Sequence, residues 1–246
     1  MTAVMTMHEL ARERAAAALA DGRGVIVTID GPAGTGKSTV ARRLAERLGL
    51  QFLDTGAMYR AATALALDRG VPIDDEESVA ALVEGADLRF AWNAEPPMLT
   101  AYAADITGRL RDDDVNAVVS VVSALGKVRA MLVAAQRRIG AEHPRLVTEG
   151  RDQGSVVFPG AAVKFYLDAS PRVRAERRAA QLAEMGRARD VGEIEAELLR
   201  RDELDRSREV APLVCPEDAV LVDTDGMSEN AVIEELERVI ASRLAE

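Results

Sequence analysis

Hydrophobic and polar positions form two kinds of pattern along most of the chain. Five short apolar runs, most of them rich in β-branched residues, have the length and flanks of buried parallel strands; they lie at 25–30, 51–54, 145–149, 163–167 and 219–223. Helical patterns separate most of these runs; the first, through Val40, Leu44 and Leu48, stops at Gly49. We therefore predict an α/β fold in which helices cover a five-stranded, mostly parallel sheet.

Three segments follow other patterns. Short β-like runs at 88–92 and 98–102 lie on either side of the pair Pro96-Pro97, which predicts a small antiparallel insert within about 71–111. Residues 172–209 are a charged, arginine-rich helical stretch interrupted at Gly186. Residues 1–23 are polar and alanine-rich, and we expect them to form a helical surface extension before a domain that spans 24–246.

The composition fits one α/β domain with a small insert. The chain has 246 residues, of which 48% are hydrophobic and 29% charged, and this excludes general disorder. The single cysteine excludes an internal disulfide and a cysteine-based zinc cluster. No apolar run reaches the roughly 18 residues that span a bilayer. We expect a cytoplasmic monomer without a membrane partner.

The charge and the aromatic content argue against a nucleic-acid partner. The net charge is −10 and aromatic residues make up 3% of the chain, whereas duplex binding needs a broad positive field and single strands are bound by stacking on aromatic rings. An anionic ligand must therefore meet a local cluster of arginines. Only three of the 31 basic residues are lysines, which makes Lys37 conspicuous.

The sequence GPAGTGKST at 31–39 matches the phosphate-binding pattern G-x-x-x-x-G-K-[ST] and lies between a predicted strand and a predicted helix. Its backbone N–H groups and the helix dipole suit the phosphates of ATP, Lys37 can reach the β and γ oxygens, and Ser38 can ligate Mg²⁺. The predicted ATP-binding residues are Gly31, Pro32, Ala33, Gly34, Thr35, Gly36, Lys37, Ser38 and Thr39.

This loop alone does not separate kinases from GTPase switches, ATP-driven motors or nucleotide-binding regulators. The chain has no N-K-x-D motif, which typically selects guanine in the switches. One phosphate loop, a short sheet and an insert favour a small-molecule kinase.

Charged residues follow two of the predicted strands. Asp54 ends the second strand and Arg60 lies on the next helix, while Arg151 and Asp152 follow the third strand. The carboxyl edge of a parallel sheet is where α/β proteins bind ligands, so these side chains are candidates for binding an acceptor. The alternative is that they form helix caps and local ion pairs.

The segment 200–208 spaces Arg201, Asp205 and Arg208 by four and three residues, which predicts that all three lie on one helical face. Taken alone, such a face is usually solvated and bridged by ion pairs.

Six segments together resemble the bacterial cytidylate kinases, which phosphorylate CMP and dCMP. They are GPAGTGKST (31–39), DTGAMYR (54–60), LRDDDVNAVVS (110–120), VR (128–129), EGRDQGSVVFP (149–159) and RRDELDRSREVAPL (200–213), and they cover roughly residues 25–240 in order. The resemblance implies a three-layer P-loop kinase fold with strand order 2-3-1-4-5. It also implies that the insert at about 71–111 binds the monophosphate and that a short arginine-bearing lid lies at about 174–192.

Carried over residue by residue, the resemblance implies that Arg60 and Arg151 bind the acceptor phosphate. It implies that Asp152, Arg129 and Arg208 contact the cytosine edge, with Thr55 adjacent, and that Ser120, Arg201 and Asp205 contact the pentose. Together with Lys37, Arg60 and Arg151, the implied catalytic cations include three candidate lid residues that would close over the triphosphate: Arg177, Arg178 and Arg187.

The sequence departs from the family at positions close to these residues. Gln153 and Ser155 stand where the family commonly has an apolar residue and threonine, and residues 111–114 are unusually acidic. The expected reaction is transfer of the γ-phosphoryl group of ATP, with Mg²⁺, to CMP or dCMP. The alternatives are a kinase for another small acceptor, such as UMP, AMP or shikimate, and a nucleotide-binding regulatory module without turnover.

Overall fold

The computed structural model describes residues 13, 15, 22, 24–92 and 97–245, and its elements follow the predicted alternation of strands and helices. In chain order, the elements of residues 24–92 and 97–245 are β1 (Val25–Asp30), α1 (Lys37–Leu48), β2 (Gln51–Asp54), α2 (Thr55–Asp68), α3 (Glu76–Ala86), β3 (Arg89–Ala91), β4 (Met98–Ala101), β5 (Ala104–Asp105), a 3₁₀ turn (Thr107–Arg111), α4 (Asp113–Val122), α5 (Gly126–Glu142), β6 (Arg145–Gly150), a π-helical turn (Gln153–Val157), β7 (Val163–Asp168), α6 (Pro171–Glu184), α7 (Val191–Ser207), β8 (Val220–Asp223) and α8 (Glu229–Leu244).

The large sheet has the order β2-β6-β1-β7-β8, which confirms the predicted order 2-3-1-4-5 for the five core strands. Strand β1 pairs in parallel with β6 and with β7, so that Val27 is opposite both Val147 and Val163. Strand β7 pairs in parallel with β8. The inner strands β6, β1 and β7 are largely buried apolar runs because a parallel sheet is covered on both faces. The edge strand β8, predicted as buried, exposes Leu221 because none of the described strands or helices covers it there.

The predicted antiparallel insert is also confirmed. Strands β3 and β4 pair antiparallel with Phe90 opposite Leu99, and β4 pairs antiparallel with β5. The two residues of β5 are too few to give a sequence pattern, and this strand was not predicted. Of the proline pair used for the prediction, Pro96 lies outside the described residues.

The described residues divide into two compact units. The first contains the residues up to Leu53, His143–Ser207 and those from Ala211 onward. Its largest core cluster joins Leu44 of α1, Ile29 of β1, Phe165 of β7 and Ile233 of α8, all fully buried. The second unit contains Asp54–Glu142 and Arg208–Val210, and its main cluster includes Met58, Val79, Val122 and Leu132.

The arginine-rich stretch at 172–209 forms α6 and α7, with a break between them. The break begins with a Schellman motif, in which Gly186 adopts a φ of 73° and the N–H of Arg187 bonds to the carbonyl of Leu182 at 2.8 Å. Helix α7 then starts after Asp190, whose side chain accepts a hydrogen bond from the N–H of Glu193 at 3.0 Å. The interruption near Gly186 is therefore observed.

Helix α7 ends at Ser207, so the prediction that Arg208 shares a helical face with Arg201 and Asp205 is wrong. The carbonyl of Asp205 accepts a hydrogen bond from the N–H of Leu213 at 2.8 Å. Ala211 has a φ of 52° and precedes Pro212. Proline disfavours the helical conformation in the residue before it. The chain therefore turns away before Arg208 can complete another helical turn.

The predicted N-terminal extension, residues 1–23, lies outside the described residues except for 13, 15 and 22. Ala15 is fully buried in the core of the first unit. Among the described residues, no single helix is long and apolar enough to cross a membrane, and α4 and α5 meet that criterion only as a pair bent by 99°.

Candidate active site

Residues 31–36 connect β1 to α1 and form the predicted phosphate loop. Gly36 precedes α1 with a φ of 87°, and no side chain caps the helix start. The first N–H groups of α1 and the positive end of its dipole suit an anion at this position. At the other end of the loop, a Cβ on Gly31 would lie 2.0 Å from the carbonyl oxygen of Leu167 in β7, so only glycine allows this close approach.

Lys37 is buried, with 5% of its surface exposed. Its ammonium group donates to the carbonyl of Pro32 at 2.6 Å and to the hydroxyl of Thr35 at 3.2 Å. Burial, together with the nearby charges of Arg151 and Arg201, lowers the pKa of Lys37 to about 7, although the carboxylates of Glu149 and Asp30 oppose the shift. A phosphate group beside Lys37 would offset this repulsion, so the site favours an anionic ligand.

Ser38 donates a hydrogen bond from its hydroxyl to Oε1 of Glu149 at 2.7 Å. Glu149 is buried near the carboxyl end of β6, the strand beside β1. A hydroxyl and a carboxylate are the oxygen ligands that Mg²⁺ prefers, so this pair fits the predicted magnesium site. Within the described residues, no group of three or more His, Cys, Asp or Glu side chains could hold a metal ion.

In the first unit, the predicted acceptor residues lie on the segment after β6, which carries Arg151 and Asp152, and on α7, which carries Arg201 and Asp205. Arg151 donates from Nε to Oδ2 of Asp205 at 2.8 Å and from Nη1 to the carbonyl of Gly150 at 3.1 Å. Asp152 is buried, with 3% exposure, and Arg201 is half-buried. The structure therefore joins two of the predicted residues, Arg151 and Asp205, directly.

Asp30, the last residue of β1, holds the turn that follows Asp152. Its two carboxylate oxygens accept hydrogen bonds from the N–H groups of Gln153 at 2.9 Å and Gly154 at 2.7 Å. Burial, together with the charge of Asp152, raises the pKa of Asp30 to about 7, although the two amide hydrogen bonds and Lys37 oppose the shift. The sequence analysis missed Asp30, whose only signal is a carboxylate at the end of an apolar strand before the phosphate loop.

The departure at Gln153 has a structural basis. Gln153 is fully buried, and its Oε1 accepts a hydrogen bond from the hydroxyl of Thr148 in β6 at 2.9 Å. A buried amide is tolerated where its polar atoms are paired, so this hydrogen bond accounts for a glutamine at this buried position.

Arg60 in the second unit is oriented by Asp54. Its Nη2 lies 3.0 Å and 2.8 Å from the two carboxylate oxygens of Asp54, and Asp54 also caps α2 by accepting from the N–H of Ala57 at 2.8 Å. A Cβ on Gly56 would lie 2.9 Å from Nη1 of Arg60. Asp54 is therefore both a helix cap and the ion-pair partner that fixes Arg60.

Arg129, a predicted acceptor residue in the second unit, is buried, with 2% exposure. It donates from Nη1 to the carbonyl of Ser123 at 3.1 Å, and its guanidinium carbon lies 5.5 Å from the ring centre of Tyr59. These contacts hold a charged side chain in a defined orientation inside the unit. Thr55 begins α2 and is buried, and Ser120 lies half-buried on α4.

The three candidate lid arginines differ in their surroundings. Arg177 on α6 donates to the hydroxyl and the carbonyl of Thr224 at 2.9 Å and 2.6 Å. Arg178, one residue later, donates to Oε1 of Gln181 on the same helix at 2.6 Å. Arg187 is exposed between α6 and α7. Arg177 is thus tied to the segment after β8, whereas Arg187 lies on the connection between two helices.

The predicted acceptor residues divide between the two units. The first unit contains Arg151, Asp152, Arg201 and Asp205, and the second contains Thr55, Arg60, Ser120, Arg129 and Arg208. Within the first unit, Arg151 and Arg201 lie close enough to Lys37 to lower its pKa. This is the local cluster of cations that the net charge of −10 led us to expect for an anionic ligand.

Comparison with known proteins gives a consistent result. A family model described as cytidylate kinase matches residues 27–242. The chain is 47% identical to a cytidylate kinase of Nocardia farcinica, covering 90% of this chain and 95% of that protein, and 45% identical to a cytidylate kinase of Rhodococcus opacus, covering 89% and 96%. It is also similar to the crystal structure of a gluconokinase from Sinorhizobium meliloti, with 19% identity, coverage of 90% and 94%, and a TM-score of 0.47.

Proposed function

Because the chain belongs to the cytidylate kinase family, we propose that the residues described above carry that family's reaction. The enzyme transfers the γ-phosphoryl group of ATP to CMP or dCMP and releases ADP with CDP or dCDP. The observation that carries the residue assignment is the burial of Lys37 in the phosphate loop beside Arg151 and Arg201. A cationic site of this kind stabilises the charge of a phosphoryl group in transfer.

On the donor side, residues 31–39 bind the phosphates of ATP. The backbone N–H groups of the loop and the start of α1 surround the β-phosphate, and Lys37 follows the migrating γ-phosphoryl group. Ser38, hydrogen-bonded to Glu149, would hold Mg²⁺ with that carboxylate. When bound, Mg²⁺ neutralises charge on the β- and γ-phosphate oxygens.

On the acceptor side, Arg60 and Arg151 bind the phosphate of CMP. Each guanidinium is already oriented by a carboxylate, Arg60 by Asp54 and Arg151 by Asp205, so little rotamer freedom is lost when the acceptor binds. The acceptor phosphate is ionised and nucleophilic, so no general base is needed and the residues act by positioning and charge neutralisation.

The cytosine edge is read by Asp152, Arg129 and Arg208, with Thr55 adjacent. The amino group of cytosine needs an acceptor, which Asp152 offers, while N3 and O2 need the donors that arginine supplies. Ser120, Arg201 and Asp205 contact the pentose. The burial of Asp152 and Arg129 supports this assignment, because buried polar groups discriminate strongly between bases.

The segment 174–192 acts as the lid, and the insert within 71–111 contributes to acceptor binding. Arg177, Arg178 and Arg187 are the candidates to contact the triphosphate, and Arg177 is bonded to Thr224 in this structure. Closure of a lid excludes water and suppresses hydrolysis of ATP.

The enzyme works on free nucleotides as a cytoplasmic monomer, in pyrimidine nucleotide metabolism, without a nucleic-acid or membrane partner. The net charge of −10 and the aromatic content of 3% support the absence of a nucleic-acid partner. The single cysteine supports a reducing compartment.

A coupled assay of ADP release tests this proposal with CMP, dCMP, UMP, AMP and shikimate as acceptors. We expect fast turnover with CMP or dCMP and low ATPase activity without an acceptor. Faster turnover with another acceptor would overturn the substrate assignment. Binding of ATP without any turnover would favour a regulatory module.

A further inference from the structure

A buried ion pair between two residues outside the phosphate loop bonds to the loop backbone. This ion pair has no role in the proposed reaction. The N–H of Ala33, inside the loop, donates to Oδ1 of Asp202 at 3.3 Å. The carbonyl of the same residue accepts from Nη1 of Arg174 at 2.9 Å. Nη1 of Arg174 also lies 2.7 Å from Oδ2 of Asp202, and both side chains are buried, with 3% and 2% exposure. One ion pair therefore bonds both polar groups of one loop residue.

The two partners come from the helices on either side of the predicted lid connection. Arg174 lies on α6 and also donates from Nε to the carbonyl of Ala169 at 3.0 Å, and Asp202 lies on α7. The guanidinium is thus fixed by three oxygens, and its orientation is set before any nucleotide binds.

Packing brings the loop onto the same two helices. Ala33 is buried in a cluster with Ala175 of α6 and Leu198 of α7. A Cβ on Gly34 would lie 3.2 Å from Cβ of Arg174 and 3.5 Å from Cδ1 of Leu198. The middle of the phosphate loop therefore fits closely against α6 and α7.

Stability alone does not explain this ion pair. Desolvation of two charges offsets much of their attraction, and a buried ion pair is often replaced by apolar residues of similar size with no loss of stability. Apolar side chains cannot bond the N–H and the carbonyl of Ala33. The property that requires Arg174 and Asp202 is the conformation of the loop.

We propose that Arg174 and Asp202 are a positioning pair that fixes the phosphate loop for ATP and couples its conformation to helices α6 and α7. The inference rests on the proposed use of this loop for ATP. Loss of the pair should weaken the binding of ATP at the donor site and leave the binding of CMP at the acceptor site unchanged. If α6 or α7 moves when the lid closes, the hydrogen bonds to Ala33 would then move the loop as well.

The test compares the double variant Arg174→Met/Asp202→Leu with the wild type and with Arg172→Met. Arg172 is an exposed arginine of the same helix, paired with Glu176 and Glu195, and serves as the matched control. We expect the double variant to remain folded, while KM for ATP rises about tenfold or more and KM for CMP changes by less than about twofold. Equilibrium titration with a non-hydrolysable ATP analogue should give the same loss of affinity without turnover.

A folded double variant with wild-type KM and affinity for ATP would overturn the proposal, and so would equal rises in KM for ATP and CMP. If the double variant does not fold, Arg174→Lys replaces it, because one ammonium group keeps the charge but cannot reproduce the guanidinium contacts with Ala33, Ala169 and Asp202. That variant should raise KM for ATP severalfold in folded protein, and wild-type KM for ATP would again overturn the proposal. Failure of the proposed function is distinct, since the wild type would then show no turnover with CMP.

Discussion

Arg151 and Asp205 form a hydrogen-bonded ion pair, 2.8 Å between Nε and Oδ2, that joins the segment after β6 to helix α7. Both side chains are largely buried, with 18% and 5% exposure. Removing one partner of a buried pair leaves the other charge without compensation. Asp205 therefore orients Arg151 in addition to its proposed contact with the pentose.

Asp205→Ala should lower kcat/KM for CMP and dCMP by at least about tenfold, because it removes the acceptor for the pentose hydroxyl and the partner of Arg151. Steady-state kinetics with both nucleotides would measure the effect. The matched control is Glu203→Ala, which removes an exposed carboxylate from the same helix. Changes within about twofold, or roughly 0.4 kcal/mol, would mean that this helical face does not contribute to the reaction.

Lys37→Met should lower turnover by about 10³-fold or more with the fold intact, because it removes the cation that follows the phosphoryl group. Lys127→Met is the matched control, since Lys127 is an exposed lysine paired with Glu77 on the second unit. Turnover at the wild-type rate in folded Lys37→Met protein would contradict the phosphate-loop assignment.

Asp152→Asn tests how the base is read. UMP presents a carbonyl where CMP has an amino group, so the wild type should prefer CMP by about 10²-fold or more in kcat/KM. An asparagine amide can donate to that carbonyl, and the preference should shrink chiefly through loss of activity on CMP.

Asp225→Asn, which makes the same change at an exposed residue in the turn after β8, is the control for the Asp152 experiment. Kinetics with CMP and UMP on all three proteins decide the outcome. A preference that stays the same in Asp152→Asn would mean that another residue reads the base.

The buried carboxyl group of Asp30 should make stability fall as pH rises from about 4 to 7. Its pKa is raised from 3.8 to about 7, so between these values the folded chain keeps a proton that the unfolded chain has lost. The full shift corresponds to on the order of 4 kcal/mol. Below pH 4 and above pH 7, Asp30 does not change the dependence of the free energy of unfolding on pH.

Denaturant unfolding of the wild type and Asp30→Asn across this pH range measures that slope. The asparagine variant loses an acceptor for the N–H of Gln153 or Gly154 at every pH, so it should be less stable at low pH. The difference in free energy of unfolding between the variant and the wild type should then become smaller as pH rises. A difference independent of pH would contradict a raised pKa for Asp30.

The sequence predicted the elements whose signals are local. The five strands of the large sheet are apolar runs with distinct flanks, and residues 31–39 carry a complete phosphate-binding pattern. The end of α7 was missed because it depends on the bond between Asp205 and Leu213 and on the strained Ala211, neither of which alters helical periodicity.

The supporting residues of the site depend on contacts between distant parts of the chain. Asp30 bonds to residues 153 and 154, Ser38 bonds to Glu149, and Ala33 bonds to Asp202, which is 169 positions away. Spacing within one segment carries no information on such pairs. Sequence patterns therefore identified residues with known motif positions but not the supporting roles of Asp30, Glu149 and Asp202.

Gly31 and Lys37 belong to the same loop but would have different evolutionary fates in a lineage that lost kinase activity. The approach of Gly31 to the carbonyl oxygen of Leu167 is part of the folded chain itself, so any other residue there would disturb the sheet. Lys37 is a buried cation whose burial lowers its pKa to about 7, so folding gains little from its charge. Selection for stability alone would retain glycine at position 31 but would allow substitution of the lysine at position 37.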